Sequence, residues 1–120
     1  MATIYTQAGE ELVVDLIDDT ASGAATHYIG WGTGAGTAAK GDTTLFTEAS
    51  ETRVAATKSQ PAVDKNQWLG TLTADAAKTI TNGGVLSALT VGTLIVHGDF
   101  AGVALLLGDK IEFTVTLEQT

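Results

Sequence analysis

The chain has 120 residues, one domain's worth, with 44% hydrophobic residues and a mean hydropathy of +0.20, so it can bury a core and does not belong to the disordered class. Its formal net charge is −8 with 6 Lys+Arg, which excludes nucleic acid and anionic membrane surfaces as partners, because both are held by clustered cations. It contains no cysteine and so has neither disulfides nor thiolate metal ligands, and an abundance of Thr and Gly with a single proline, Pro61, argues for strands and turns.

Residues 1–10 read as an N-terminal arm or an edge strand, and residues 11–120 as one β-sandwich domain. Met1 to Glu10 has no basic segment followed by an apolar one, so no leader is expected and synthesis in the cytosol is. The apolar run Val103–Leu107 is too short to span a bilayer. Leu12, Val14 and Leu16 alternate with Val13, Asp15 and Ile17, which suits a strand. Asp18 to Gly23 is a turn cluster. His27 to Trp31 reads as the next strand, ending in the glycine-rich loop Gly32-Thr33-Gly34-Ala35-Gly36. Asp42 is placed to cap a short helical turn through the amides that follow it.

Arg53 to Thr57 reads as a short strand, and Pro61 marks a break or a sheet edge. Gln67 to Thr73 is a strand with Trp68 and Leu72 on one face, followed at Ala74–Ala77 by a helical turn or a hairpin loop. Thr79 to Thr81 is strand again, and Asn82-Gly83-Gly84 is a turn signal. In Thr93 to Phe100, Leu94, Val96 and Phe100 take one face, and Thr93, Ile95, His97 and Asp99 the other. Gly108-Asp109 makes the last turn. Ile111, Phe113, Val115 and Leu117 then alternate with Glu112, Thr114, Thr116 and Glu118, the cleanest period of two in the chain. No segment gives a three-turn amphipathic helix. The expected fold is all-β: a single antiparallel sandwich, jelly-roll- or Ig-like, of seven or eight short strands.

Chemistry-bearing patterns fail on context. Gly30-x-Gly32-x-x-Ala35 fits a loose dinucleotide fingerprint, but no helix follows to hold a pyrophosphate, and Lys40-Gly41-Asp42-Thr43 lacks the order of a phosphate loop. His27 and His97 are the only histidines; with Asp99 they fall short of a zinc set, and half-exposed strand positions are expected for them. Asp15, Asp18 and Asp19 lack the spacing of a calcium loop. Ser22, Ser50, Ser59 and Ser87 stand in no nucleophile elbow. No catalytic residue, metal or cofactor is therefore expected. Trp31 and Trp68 are expected in the core, with a sugar-stacking role as the rival reading. Glu48 and Arg53, the only arginine, are singled out: a bidentate pair of Arg53 with a nearby carboxylate would fix the 42–53 loop against the sheet, with an exposed pair as the rival reading.

Tyr28-Ile29-Gly30-Trp31-Gly32-Thr33-Gly34, then Gly41-Asp42-Thr43-x-Leu45-x-x-Glu48, then Arg53-Val54 form a pattern that resembles a group of small virion proteins of tailed bacteriophages. Gly92-Thr93-Leu94 and the segment from Gly108 to Thr116 continue the resemblance, whereas Asn82-Gly83-Gly84 departs from it. The residues that carry it are Tyr28, Trp31, Gly32, Gly34, Asp42, Thr43, Leu45, Glu48 and Arg53. The resemblance implies a structural protein of the virion: a capsid decoration or cement protein on the capsid exterior, bound to the major capsid protein and to itself as a homotrimer. A tail or fibre domain with a receptor- or glycan-binding role is the alternative it leaves open.

Overall fold

Nine alternating residues at the end of the chain form the strand their period demands, and the rest of the smaller sheet is built beside it. In the computed structural model, which describes residues 2–17 and 26–118, the elements are β1 (Ala2–Tyr5), α1 (Gln7–Ile17), β2 (Tyr28–Gly32), β3 (Val54–Ala55), β4 (Thr57–Ala62), β5 (Lys65–Thr73), β6 (Lys78–Leu86), β7 (Leu94–Leu105) and β8 (Lys110–Glu118). The strands form two antiparallel sheets, a five-stranded one in the order β1-β7-β6-β2-β3 and a three-stranded one in the order β4-β5-β8. The expected all-β sandwich is thus the fold, with eight strands among the described residues. The sheets meet on Ile29, Trp31, Trp68, Leu72, Ile80, Val85 and Leu117.

The chain changes sheets at short non-strand links. The stretch expected as one strand, Arg53 to Thr57, is split: β3 ends at Ala55, Ala56 N–H bonds the His27 carbonyl at 2.9 Å, and β4 starts in the other sheet. Ala74–Ala77 is neither helical turn nor hairpin. It carries the chain from β5 to β6, in different sheets, and buried Ala74 exchanges backbone hydrogen bonds with Gly108 and Asp109. Gly108 takes φ +89 in the last turn, as its residue type favours, and this turn also joins the two sheets. Pro61 lies in edge strand β4, beside a register irregularity between Ser59 and Ala62, where a missing N–H breaks no ladder.

Three further expectations are corrected. Residues 2–5 are an edge strand, but Gln7–Ile17 is a helix of about three turns rather than a flexible segment and a strand. Thr6 caps it: its hydroxyl accepts from Gly9 N–H at 3.0 Å and donates to the Leu94 carbonyl, with the Ile95 carbonyl 3.1 Å away, which anchors the first turn on β7. A Cβ on Gly9 would lie 2.6 Å from the Ile95 oxygen, so glycine lets helix and strand approach. Second, Asn82-Gly83-Gly84 is not a turn but the buried middle of β6. Third, β7 does not alternate evenly. Val85 pairs with Val96 and Leu86 with Leu94, so Ile95 is one residue extra. Leu94 therefore packs with Leu45 and Leu86 in a small second core, while Ile95 and Val96 join the main one. The Asp18–Gly23 turn and the Asp18 and Asp19 pair lie outside the described residues.

Candidate functional site: the loop clamped on the larger sheet

The residues that carry the sequence pattern converge on one place, the long connection between β2 and β3. It folds back over the face of the five-stranded sheet opposite the smaller sheet. No helix follows β2. Instead Thr33 N–H bonds Thr47 O and Gly34 N–H bonds Phe46 O, each at 3.0 Å, so the loop pairs with itself. Glycine makes the approach possible: a Cβ on Gly32 would sit 2.3 Å from the Phe46 oxygen. Gly84, opposite Gly30 in the ladder, leaves room for Leu45 and Leu94 above it.

Arg53 is the clamp. Its Nε donates to Glu48 Oε2 at 2.7 Å and its Nη2 to Glu48 Oε1 at 2.8 Å, the expected bidentate pair. Its Nη1 donates to the carbonyls of Ala88 (2.9 Å) and Val91 (2.7 Å), so one guanidinium holds two loops. The arginine side chain is only 8% exposed, which takes the pair out of the class of solvated surface ion pairs.

A second set of bonds, invisible in the sequence, fixes the middle of the loop. Asn82 donates from Nδ2 to Phe46 O and accepts at Oδ1 from Phe46 N–H, both at 3.0 Å, which fixes the orientation of the amide. Its Oδ1 also meets His97 Nε2 at 3.0 Å, so that nitrogen is the donor. On the other side of the ring, His97 Nδ1 lies 2.7 Å from Asp42 Oδ2. The Phe46 ring stands edgewise to the imidazole, with centroids 4.6 Å apart. His97 is fully buried, not half-exposed as its strand position suggested. Asp42 does not cap the amides after it; its carboxylate reaches back to Ala39 N–H at 2.8 Å. Asp99 Oδ1 accepts from Ala38 N–H at 2.9 Å, and the Thr81 hydroxyl donates to the Gly34 carbonyl.

The far end of the connection is tied by Glu51. It accepts from Trp31 Nε1 and from Asp75 N–H, each at 2.9 Å, and pairs with Lys78. Burial works against its ionisation, but Lys78, the Asp75 amide and the Trp31 indole together hold the carboxyl down at about 2. The same Glu51, with Asp75, raises the Lys78 ammonium. His27 is lowered by burial and by Lys58, and its Nδ1 accepts the Trp68 indole N–H at 3.1 Å.

Of the residues singled out from sequence, Trp31, Gly32, Gly34, Asp42, Leu45, Glu48 and Arg53 all belong to this clamp or to the core beneath it. Tyr28 takes part through the β2 ladder, opposite Leu86, and Thr43 is exposed. Phe46, Glu51 and Lys78 carry no signal in the sequence, and Asn82 and His97 read there as a turn and as a half-exposed strand position. An Asn before two glycines looks like a turn, and only its burial in a central strand shows otherwise. Trp31 and Trp68 are 1% and 4% exposed, which leaves no indole face for a sugar. Among the described residues, no group of His, Asp and Glu is gathered as a metal site, and no helix is long and apolar enough to cross a membrane. No protein-family model, curated protein or solved structure matches this chain.

Proposed function

We propose that this chain is a structural protein of a phage virion: a capsid decoration protein that binds the outer capsid surface and stabilises the shell by bridging major capsid subunits. The reading rests on the sequence resemblance, and one observation carries it further. The residues of the resembling pattern put their polar groups into holding a loop on a sheet. A rigid, acidic sandwich suits a part that is docked rather than turned over. Binding to the assembled shell stabilises that shell, because the bound state is favoured by mass action.

The test is copy number in purified particles. A decoration protein is present on the order of hundreds of copies, following the symmetry of the shell. Particles lacking it should assemble and release their genome at lower temperature. A count of a few copies, with density confined to the tail, would overturn the capsid reading in favour of a tail or fibre part.

A further inference from the structure

The four sheet edges are not equally protected. β1 and β3 are four and two residues long. β4 carries Pro61 and a register irregularity, both of which discourage pairing with another chain. β8 has neither device. It pairs with β5 without interruption from Lys110 to Glu118, contains no Gly or Pro, and lies at the end of its sheet. Among the described residues, no backbone hydrogen bond other than the β5 ladder reaches residues 110–118. Its outer row of N–H and C=O groups is a template for another strand.

The strand is also complementary to itself. Two antiparallel copies related by a twofold axis at Thr114 place Lys110 of each opposite Glu118 of the other. Glu112 then meets Thr116, Thr114 meets Thr114, Ile111 meets Leu117 and Phe113 meets Val115. Outward residues face outward and inward residues inward along the whole contact, as the register of a half-buried strand requires. Moving one copy by two residues leaves Lys110 opposite Thr116. Moving it the other way sets Glu112 against Glu118, a like-charge pair. Lys110 is exposed and has no ion pair among the described residues. Glu118 uses Oε2 on Lys65 at 3.3 Å and is still 47% exposed, so its other oxygen is open to a second cation.

Beside this edge the sandwich is open. A groove of about 340 Å³ lies between β8 and the larger sheet, bounded by Phe113, Val115, Val96 and Phe100. Gly83 and Gly98, paired across the ladder, line its floor, and the Phe113 ring packs against Gly83. A second copy paired on β8 extends the inward face of the sheet across its mouth. We propose that two copies of this chain associate through β8, by antiparallel edge pairing centred on Thr114, to give a continuous six-stranded sheet. This goes beyond the capsid reading, and it puts a twofold pair in place of the homotrimer that the resemblance implies.

Charge exchange tests the register directly. Sedimentation equilibrium of the full chain over a concentration series should show a monomer–dimer equilibrium. K110E and E118K each set like charges at both ends of the pair, so each alone should weaken self-association by roughly tenfold. Mixed in equal amounts they restore both ion pairs, and the mixture should dimerise within about twofold of the wild type. The swap controls for misfolding, since a variant that failed to fold would not be rescued by mixing. A monomer at every concentration, a trimer, or a dimer that neither variant weakens would overturn the proposal. None of these outcomes depends on where the protein resides.

Discussion

Arginine 53 shows how much one side chain can organise when its donors are fixed in a plane. Lysine at this position keeps the charge but supplies a single ammonium, which cannot hold Glu48 bidentately and reach the Ala88 and Val91 carbonyls together. R53K should therefore cost roughly 1–2 kcal/mol. It should also raise protease cleavage within residues 33–53 at conditions of matched global stability. Equal cleavage rates would show that the clamp does not hold the loop. Asn82 is the stronger case, because three groups depend on it: Phe46 N–H, Phe46 C=O and His97 Nε2. N82L removes the partner of Phe46 N–H and of buried His97 Nε2 and leaves the Phe46 carbonyl with Gly34 N–H alone, and a loss of about 3 kcal/mol is expected from urea unfolding. A loss under about 1 kcal/mol would mean that water replaces the amide. The Arg53–Glu48 pair was legible in the sequence, since a sole arginine five residues from a glutamate in a loop has an obvious partner. The Asn82–His97–Asp42 chain was not, because its members are far apart in sequence and meet only when the loop folds back.

At the scale of the element, β6 decides the architecture. Its central glycines lie between two layers. A Cβ on Gly83 would stand 3.0 Å from the Phe113 ring in the smaller sheet, and one on Gly84 would stand 2.5 Å from the Val96 carbonyl. The second contact is with backbone, which cannot rotate away. G84A should thus cost roughly 2–3 kcal/mol, through strain rather than lost contacts. A melting temperature unchanged from wild type would contradict this crowding. Helix α1 holds the opposite lesson. Its N-cap Thr6 and first-turn Glu10 were in the sequence, but the alternation of Leu12, Val14 and Leu16 suggested a strand. Periodicity over so few residues fits either period, and the contact with β7 selected the helix.

For the whole molecule, two of the shifted groups among the described residues, Glu51 and His27, act on the acid side, and both in the same direction. Glu51 is depressed to about 2 in the folded state from an ordinary value of 4.5, so its contribution is full above 4.5 and is lost as pH falls towards 2. His27 is lowered from 6.5, so the unfolded chain takes up its proton first, and stability begins to fall below 6.5. The midpoint of urea unfolding should therefore decline in two steps on acidification. H27Q, which can still accept the Trp68 indole, should flatten the upper step, and E51Q the lower one, with E51Q also less stable at neutral pH. Profiles parallel to wild type in both variants would exclude these groups as the source.

The sequence by itself determined the class of the fold and the β8 strand, and it narrowed Pro61 to a break or a sheet edge, the tryptophans to core or a stacking face, and Arg53 to a clamp or an exposed pair. Each follows from local alternation or from residue chemistry within a few positions. Only the tertiary structure decided that Asn82-Gly83-Gly84 is a central strand, that Leu94 and Val96, expected on one face, pack into different cores, and that His97 is a buried tie rather than a half-exposed residue. These depend on what lies against each face of the larger sheet. A glycine reads as a turn until another layer is seen to need the space its side chain would fill.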